Sequence, residues 1–509
     1  GGNGDLNTSR YYPDINTDRF TMGTLIVEGK VADLDLTYAG GFIKRHEYQQ
    51  SDYSDYTFFY DVLYAYNPAY YADNFRDKNG YDVSKAQYYT GFNDFTKQSH
   101  EVRLSTPSSW RLHGTVGVFY ERQTDSLQYN YVVPGLAPEL SVGGQVGTVW
   151  YQRAMRVDKD KALFADFTYD ITSKLALTGG MRGYHYDNTV DGFAGFGATF
   201  PTADSPWTGE NICFTPIDAS NPNLPCKNLL NRGAKSGETH RINLTYKFDD
   251  DRMVYATAST GFRPGGVNRL LNVPPYNPDF LTNYEIGTKT TWLDHRLRIN
   301  AAVFMERWND AQFAYPGPNG VNVVINAGRA EIKGLEAEVH FKVNRGLTIS
   351  SSATFLDSKL LTNVCHYPSP TLTCTEPSLK GQPNTVFAPA GARLPVSSKF
   401  KGNLIARYEW NMGEYRWHSQ VAGVYQSDAL AALKTADQAI VGNQPAFGTV
   451  DLAFGAAKDS WSAELFVSNA FDSRGQLIRY TSCTPSVCQL VNVIPTRPRL
   501  VGLSFSQRF

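Results

Sequence analysis

The stretch Leu335-Glu-Ala-Glu-Val-His-Phe-Lys342 alternates apolar with polar or charged residues over its whole length. Successive side chains of a β-strand point to opposite faces, so this pattern predicts a strand with one apolar and one polar face. The same alternation recurs along the 509-residue chain, for example in Trp110–Glu121, Leu347–Phe355 and Trp461–Ser468. The sequence therefore predicts an all-β protein whose strands lie between an apolar and a polar environment.

The connections between these strands indicate a transmembrane antiparallel β-barrel. Short polar turns, such as Trp292-Leu-Asp-His295, join the strands in pairs, and long segments such as 46–96, 123–159 and 188–237 separate the pairs. Short periplasmic turns that alternate with long extracellular loops are typical of outer-membrane barrels, whereas soluble domains rarely carry several long loops. A β-propeller or a stack of β-sandwiches is the alternative, but no internal repeat supports it. The seventeen predicted strands are residues 19–28, 33–45, 97–106, 110–123, 160–170, 174–187, 238–249, 252–262, 281–292, 295–310, 330–343, 346–357, 397–409, 414–427, 445–457, 460–469 and 497–509.

The composition excludes several classes of protein. The chain has 48 Lys and Arg residues against 49 Asp and Glu residues, and this balance lacks the basic excess of a nucleic-acid-binding protein. It has no run of the roughly 18–20 apolar residues that a transmembrane helix needs. The 31 Tyr and 29 Phe residues, against 6 Met, suit a β-protein with alternating faces.

The six cysteines fall in three close pairs within loops rich in Pro, Ser, Thr and Asn. Local pairs of this kind are typical of disulfides formed in an oxidising compartment. A zinc site is the alternative, but only His366 adjoins a pair and no metal site is expected. The predicted disulfides are Cys213–Cys226, Cys365–Cys374 and Cys483–Cys488.

The N-terminus begins Gly1-Gly-Asn-Gly4 and has no apolar core of a secretory signal. Bacterial single-chain barrels have an even number of strands, because both chain ends lie on the periplasmic side. An odd count without a signal sequence leads us to expect that an N-terminal part precedes this chain. We expect residues 1–18 to form a loop segment that leads into a barrel over 19–509.

Several motifs resemble those of TonB-dependent outer-membrane receptors. Thr260-Gly-Phe-Arg-Pro-Gly-Gly-Val-Asn268 is similar to their glycine-rich strand end, and Tyr284-Glu-Ile-Gly-Thr-Lys289 followed by Leu297-Arg-Ile-Asn-Ala-Ala-Val-Phe304 resembles one of their hairpins. Asn326-Ala-Gly-Arg-Ala-Glu-Ile-Lys-Gly-Leu-Glu-Ala-Glu338 and Val467-Ser-Asn-Ala-Phe-Asp472 resemble two further motifs of the family. The motifs are expected to define the barrel rather than a binding site. Gly261, Gly265 and Gly266 are expected to let the strand end turn at positive φ.

The resemblance implies the architecture and the partners of the whole protein. Members of the family have a 22-stranded barrel in the outer membrane of Gram-negative bacteria, filled by an N-terminal plug domain. A Ton box binds TonB, which couples the proton-motive force to import. We therefore expect the plug domain and the first strands to lie outside this sequence. The barrel-assembly machinery, lipid and lipopolysaccharide are further expected partners, and Phe505 and Phe509 on the last strand resemble the assembly signal.

The segment 53–92 is the most aromatic of the predicted loops and is the candidate ligand contact. Tyr rings can stack on a flat ligand and donate hydroxyl hydrogen bonds, although they can equally pack the loop against its neighbours. Arginines near the loop bases, Arg76 among them, could add anion recognition. The candidate residues are Tyr53, Tyr56, Tyr60, Tyr64, Tyr66, Tyr70, Tyr71, Arg76, Tyr88 and Tyr89.

The predicted function is that of a receptor that binds a scarce extracellular ligand and imports it with TonB-coupled energy. The ligand class is a siderophore-like chelate, a glycan or a similar small molecule. A passive porin or a surface-interaction barrel is the alternative function. No catalytic motif is present, so neither an enzyme activity nor a cofactor is expected.

Overall fold

A computed structural model describes residues 6–57, 75–142, 144–196, 227, 229–268, 274–316, 322–366, 373–375, 383–482 and 485–508. Seventeen strands form one antiparallel sheet in which each strand pairs with the next along the chain. The predicted number of strands and their order are thereby confirmed. The strands of this sheet are β1 (Ile15–Val31), β2 (Leu34–Asp52), β3 (Tyr88–Ser105), β4 (Leu112–Val132), β5 (Thr148–Asp170), β6 (Leu175–Phe196), β7 (Leu229–Lys247), β8 (Arg252–Arg263), β9 (Asp279–Trp292), β10 (Leu297–Asn309), β13 (Ala330–Lys342), β14 (Leu347–Leu360), β17 (Phe400–Met412), β18 (Tyr415–Gln426), β21 (Phe447–Lys458), β22 (Trp461–Ser468) and β25 (Leu500–Gln507).

Short turns join the strands at one end of the sheet, here called the turn end, and long connections join them at the opposite loop end. In the described parts of the long connections, which the sequence pattern predicted to be loops, there are four small hairpins. The hairpins are β11–β12 (Gln312–Pro316 and Asn322–Asn326), β15–β16 (Val364–Cys365 and Val386–Ala388), β19–β20 (Ala429–Leu430 and Asn443–Gln444) and β23–β24 (Gln476–Thr481 and Val491–Pro495).

Helical structure is sparse in the described part of the chain. The connection between β18 and β21 contains a helix at Thr435–Val441, and short 3₁₀ turns occur at Ser54–Tyr56 and Pro138–Leu140. Within the described ranges, no helix combines the length and the apolar character needed to cross a membrane.

The strands β2 to β7 extend much further towards the loop end than the sequence pattern predicted. For example, β5 has 23 residues and β6 has 22 residues, whereas a tilted strand needs only about 9–11 residues to cross a bilayer. The predicted loops at 46–96, 123–159 and 188–237 were therefore wrong at both ends, where the structure has strand, and the predicted loop segment 1–18 was wrong from Ile15, where β1 begins. The error arises because strand segments above a membrane need no apolar face. Polar residues can therefore occupy both faces, and no alternation of apolar and polar residues marks the strand.

The ladders place large apolar side chains on one continuous face, the outer face. One row of laterally paired residues crosses eight strands without interruption and consists of Leu177, Leu244, Ala256, Ile286, Val303, Leu335, Phe355 and Phe400. A cavity of about 730 Å³ over Ala256 and Ala258 lies on this face and is apolar. The opposite, inner face carries Glu336 and Glu338 in the same ladders.

An aromatic girdle marks the turn end of the outer face. Exposed aromatic rings lie within a few residues of the short turns on several strands, as is typical of a barrel at a membrane–water interface. The rings are those of Tyr169, Tyr246, Trp292, Tyr408 and Tyr415.

Candidate functional site

Six aromatic side chains meet on the inner face at the loop end, and we call this group the aromatic cluster. The cluster consists of Tyr53, Tyr56, Tyr89, Tyr129, Tyr131 and Trp150. The ring of Tyr131 has its centroid 4.9 Å from that of Tyr53, 5.6 Å from that of Tyr89 and 5.3 Å from that of Trp150. Tyr53 also stacks on Tyr56 at 4.9 Å. Because Tyr89, Tyr131 and Trp150 pair laterally across β3, β4 and β5, the sheet itself assembles the cluster.

Hydrogen bonds and an apolar core hold the aromatic cluster in place. The Tyr89 hydroxyl donates to Gln49 Oε1 at 2.9 Å, and the Tyr129 hydroxyl donates to Asn93 Oδ1 at 3.0 Å. Tyr56, Tyr129 and Tyr131 pack on a buried core beneath the long connections, formed by Phe75, Val133, Leu136, Val149, Trp150, Ala154, Val190, Ala194 and Leu229. Burial raises the pKa of the Tyr53 hydroxyl, which is therefore a neutral hydrogen-bonding group.

A charged cavity of about 460 Å³ lies on the same face, nearer the turn end than the aromatic cluster. Strands β4, β5 and β6 contribute its wall, and the end of β8 and the following connection close it. Its side chains include both cations and carboxylates, and Arg156 Nε lies 3.0 Å from Asp158 Oδ2. The lining side chains include those of Glu121, Gln123, Arg156, Asp158, Asp160, Tyr186, Asn188, Arg263 and Gln312.

Two carboxylates on this inner wall have unused acceptor capacity. Asp160 lines the cavity, and Asp125 lies two residues beyond Gln123 on the same face of β4. The Oδ1 atom of each is buried and has no hydrogen-bond partner among the described residues. A buried oxygen without a donor is costly, so an N–H or O–H donor of a polar ligand would stabilise either one after a local movement of the side chain exposes it. The wall can thus recognise a ligand that carries both donors and acceptors.

The structure assigns different positions to the candidate residues of the segment 53–92. Tyr53, Tyr56 and Tyr89 belong to the aromatic cluster, whereas Tyr88 points to the other face of β3 and packs on Tyr12 at 4.9 Å. The segment also includes the first five residues of β3, so it is not all loop. Tyr60, Tyr64, Tyr66, Tyr70 and Tyr71 lie outside the described residues.

Arg76 lies in a small turn rather than in the aromatic cluster. It forms an isolated bridge with Asp82, and its Nε lies 3.6 Å from Asp82 Oδ1. Both side chains are more than half exposed, so this ion pair is solvated.

Sequence reasoning missed Tyr129, Tyr131, Trp150 and the whole charged cavity. The sequence Leu127-Gln-Tyr-Asn-Tyr131 continues the two-residue period of β4, and this extension could have identified the first two residues. The cavity gives no comparable signal, because its residues come from separate strands and a connection.

The glycine-rich motif at 260–268 has a structural role, but its glycines are not explained by positive φ, as the sequence analysis expected. Gly261, Gly265 and Gly266 are not among the glycines of the described residues with positive φ. A Cβ atom on Gly265 would instead lie 2.3 Å from the Tyr276 backbone oxygen, and one on Gly266 would lie 2.4 Å from the Tyr276 hydroxyl. At Gly265 the requirement is therefore close approach of the Tyr276 backbone, and at Gly266 it is close approach of the Tyr276 side chain, whereas a Cβ atom on Gly261 would have no neighbour within 4 Å.

Motif residues also form a hydrogen-bonded clamp between connections at the loop end. Arg263 Nη2 lies 2.6 Å from Asp279 Oδ2, and the Trp308 indole N–H donates to the same carboxylate oxygen at 2.9 Å. Asn326 accepts a hydrogen bond from the Asn277 backbone N–H at 2.6 Å. The motif residues therefore stabilise the connections at the rim of the barrel.

The motif Val467-Ser-Asn-Ala-Phe-Asp472 fixes the connection after β22 to the start of β25. Asp472 Oδ1 accepts hydrogen bonds from Arg474 Nη1 at 2.5 Å and from the Arg499 backbone N–H at 2.8 Å. These donors lower the pKa of Asp472 to about 2. Asn469 donates to the backbone oxygens of Ser473 and Arg497.

The predicted disulfide between Cys365 and Cys374 is present at the loop end, with sulfurs 2.07 Å apart and Cα atoms 5.2 Å apart. Cys488 is also disulfide-bonded. Cys213, Cys226 and Cys483 lie outside the described residues, as does Phe509 of the expected assembly signal. Phe505 is exposed on the outer face of β25, where its ring stacks on Trp461 at 6.3 Å.

The described residues contain no group of three or more His, Cys, Asp and Glu side chains that could hold a metal ion.

Comparison with known proteins identifies the family of this chain. A family model described as TonB dependent receptor-like, beta-barrel matches residues 1–470. The chain belongs to this family. TonB-dependent receptor barrels are outer-membrane proteins of Gram-negative bacteria, so this barrel lies in the outer membrane, with its turn end periplasmic and its loop end extracellular.

Relatives of this TonB-dependent receptor barrel include other receptors. The pesticin receptor of Yersinia pestis is 23% identical over 397 residues, which are 77% of this chain and 49% of that protein. The chain thus spans about half the length of this relative.

Solved structures show the same fold. The ferric yersiniabactin uptake receptor of Yersinia pestis aligns with a TM-score of 0.69 at 14% identity, covering 97% of this chain and 62% of that one. The siderophore receptor PiuA of Acinetobacter baumannii aligns with a TM-score of 0.67 at 15% identity, covering 97% and 65%.

Proposed function

We propose that this barrel is the outer-membrane part of a receptor that binds a siderophore-like chelate and imports it with energy supplied through TonB. The aromatic cluster above the charged cavity is the observation that carries this proposal. Together they line the inner face at the extracellular end, where an incoming solute first enters the barrel.

The chemistry of the two surfaces suits a flat, polar chelate. The partly exposed rings of Tyr53, Tyr89 and Tyr131 offer stacking surface, and aromatic pairs of this kind contribute about 0.5–1.5 kcal/mol beyond area burial. Arg156 and the unpartnered oxygen of Asp160 offer a cation and an acceptor nearer the turn end. A ligand with an aromatic part and peripheral oxygens would engage both surfaces at once.

The named relatives support the same ligand class. One of them is an uptake receptor for ferric yersiniabactin and the other, PiuA, is a siderophore receptor, and both share the fold of this chain. A ferric siderophore is therefore preferred here over a glycan.

Energy coupling is the second part of the proposal. In this scheme the barrel supplies affinity and selectivity, a plug domain closes the lumen, and TonB remodels that plug through a Ton box. Phe505 and Phe509 would serve as the assembly signal for the barrel-assembly machinery.

Binding by the purified full-length protein tests the ligand part, with ferric yersiniabactin and ferric pyoverdine as probes and quenching of tryptophan fluorescence as the readout. Tyr131→Ala should weaken binding of the recognised chelate by roughly tenfold, because it removes the central ring of the cluster. Tyr408→Ala, which changes an exposed ring of the outer girdle, is the matched control and should leave the affinity unchanged. Equal affinities of the Tyr131 variant and the wild type would contradict the assignment.

A further inference from the structure

The side-chain amide of Gln87 is a buried polar group without a partner beside the aromatic cluster. Gln87 directly precedes β3, and its relative exposure is 0%. Neither its Nε2 atom nor its Oε1 atom has a hydrogen-bond partner among the described residues. A buried amide without partners is costly, and buried polar groups in proteins are almost always paired. This amide therefore indicates a partner that is not part of the protein.

The backbone places Gln87 against the aromatic cluster. Gln87 lies two residues before Tyr89, so the two side chains lie on the same side of the chain. The backbone oxygen of Gln87 accepts a hydrogen bond from the Tyr53 backbone N–H at 3.0 Å. The rings of Tyr53 and Tyr89 both contact the ring of Tyr131. The Gln87 amide thus belongs to the same site as these rings.

Trp150 supplies a second polar group without a partner in this site. Its side chain is buried, with a relative exposure of 7%, and its indole N–H has no hydrogen-bond partner among the described residues. Trp150 pairs laterally with Tyr131, and the two rings meet edge-on at 5.3 Å. The site therefore holds two buried donors, from Gln87 and Trp150, and one buried acceptor, from Gln87, that are all unused.

The turn Ser54–Tyr56 packs on Gln87 through long hydrogen bonds. The Ser54 hydroxyl donates to the Gln87 backbone oxygen at 3.2 Å and accepts from the Gln87 backbone N–H at 3.3 Å. Both distances exceed the usual ranges of about 2.5–3.0 Å for O–H donors and about 2.7–3.2 Å for N–H donors. A local movement of this turn can therefore expose the Gln87 amide while the ladder of β3 stays intact.

The unused groups of Gln87 match those of an extended peptide. One residue of an extended chain presents its N–H and its C=O to the same side, as in the hydrogen-bonded pairs of antiparallel strands. The Gln87 amide offers an acceptor to that N–H and a donor to that C=O. A neighbouring peptide carbonyl can accept the indole N–H of Trp150. A ligand without peptide groups would leave these atoms unpaired.

We propose that Gln87 binds a peptide unit of the ligand, so that the receptor recognises a chelate that carries a peptide chain. This inference rests on the proposed function and narrows the ligand class. In this scheme the rings of the aromatic cluster stack on the ligand, and Gln87 selects for its peptide part once the turn Ser54–Tyr56 has moved.

The variant Gln87→Met tests the proposal in the purified full-length protein, because it replaces the amide by an apolar group of similar length. It should bind ferric pyoverdine, which carries a peptide chain, roughly tenfold more weakly than the wild type, since two hydrogen bonds are lost. The same variant should slow protease cleavage of the connection between β2 and β3 in the ligand-free protein, since it removes a costly unpaired group. A residue with a structural role alone would not combine weaker binding with slower cleavage.

Asn268→Leu is the matched control for the cleavage measurement. Asn268 is also buried, but its amide donates to the backbone oxygens of Pro274 and Val324 and accepts from the Val324 backbone N–H. Loss of this paired amide should accelerate cleavage of the connection between β8 and β9. The opposite responses of the two variants would show that the Gln87 amide is unpaired in the ligand-free protein.

The wild type should bind ferric pyoverdine more tightly than ferric yersiniabactin, which has no peptide unit. Equal affinity of Gln87→Met and the wild type for ferric pyoverdine would overturn the inference. Faster cleavage of Gln87→Met would also overturn it, because the amide would then be paired, for example with water. A wild type that binds ferric yersiniabactin but not ferric pyoverdine would overturn this inference and leave the proposed function intact. A wild type that binds neither chelate would overturn the proposed function and this inference with it.

Discussion

The ring of Tyr53, in the connection that follows β2, meets the ring of Tyr131 on β4 edge-on, with centroids 4.9 Å apart and planes at 76°. This contact joins an extracellular connection to the inner wall of the barrel. It therefore fixes the start of the connection over the lumen, where the segment can take part in ligand contact.

Removal of the Tyr53 ring should loosen the connection without disturbing the barrel. An edge-to-face aromatic pair contributes about 0.5–1.5 kcal/mol, and Tyr53 also stacks on Tyr56. We expect Tyr53→Ala to increase cleavage of the connection by an added protease several-fold. Tyr81→Ala removes a ring that is 73% exposed and should leave the cleavage rate unchanged. Similar cleavage rates for the Tyr53 variant and the wild type would argue against an anchoring role.

The two faces of β10 should respond differently to a new charge. Val303 is half exposed on the outer, lipid-facing side, whereas Ala302 pairs laterally with Glu336 on the inner face. Val303→Arg should lower the free energy of unfolding by about 2–4 kcal/mol, because it places a cation against lipid. Ala302→Arg should cost less, since a carboxylate lies beside it. Unfolding by urea in lipid vesicles measures both values, and an equal or reversed order would show that the faces are assigned wrongly.

The sequence was informative about the transmembrane part because the membrane imposes a pattern there. Alternation in stretches such as Leu335–Lys342 requires one side in lipid and one in the lumen, so strand number, pairing and faces could be predicted. Beyond the membrane this constraint ends, and the outward residues of the upper parts of β5 and β6 can be polar. The pattern therefore placed their ends too early.

The candidate site could be predicted only in part. Tyr53, Tyr56 and Tyr89 were identified because the local density of aromatic residues is a signal within one segment. The charged cavity was not, because Arg156, Tyr186 and Arg263 lie far apart in sequence and meet only through the sheet. Convergence of this kind depends on register, which a single sequence does not give.

Loss of the disulfide between Cys365 and Cys374 should have a local effect. The two residues are nine positions apart, and closure of a loop of this size contributes roughly 2–3 kcal/mol in the chain-entropy description. We expect Cys365→Ser/Cys374→Ser to accelerate amide hydrogen exchange around Val364 and Ala388, which share a small buried core. Exchange in β10 should stay as in the wild type. Unchanged exchange around Val364 would mean that the core alone orders this connection.

The connection after β22 should become less stable in strong acid. The Arg474 guanidinium and the Arg499 backbone N–H lower the pKa of Asp472 to about 2, below its unfolded value of about 4. Its stabilising contribution is therefore present above about pH 4 and is lost as the pH falls towards 2. Asp472→Asn should increase pepsin cleavage of this connection at pH 4 and change it much less at pH 2. A difference of the same size at both pH values would contradict this linkage.

Energised import by the full-length receptor is the central claim, and uptake of radioactive ferric siderophore by cells with and without TonB tests it most directly. The account predicts that uptake saturates with concentration and is lost without TonB, while binding of the chelate at the cell surface persists. Uptake that is unchanged without TonB and rises linearly with concentration would contradict the account and identify the barrel as a passive porin.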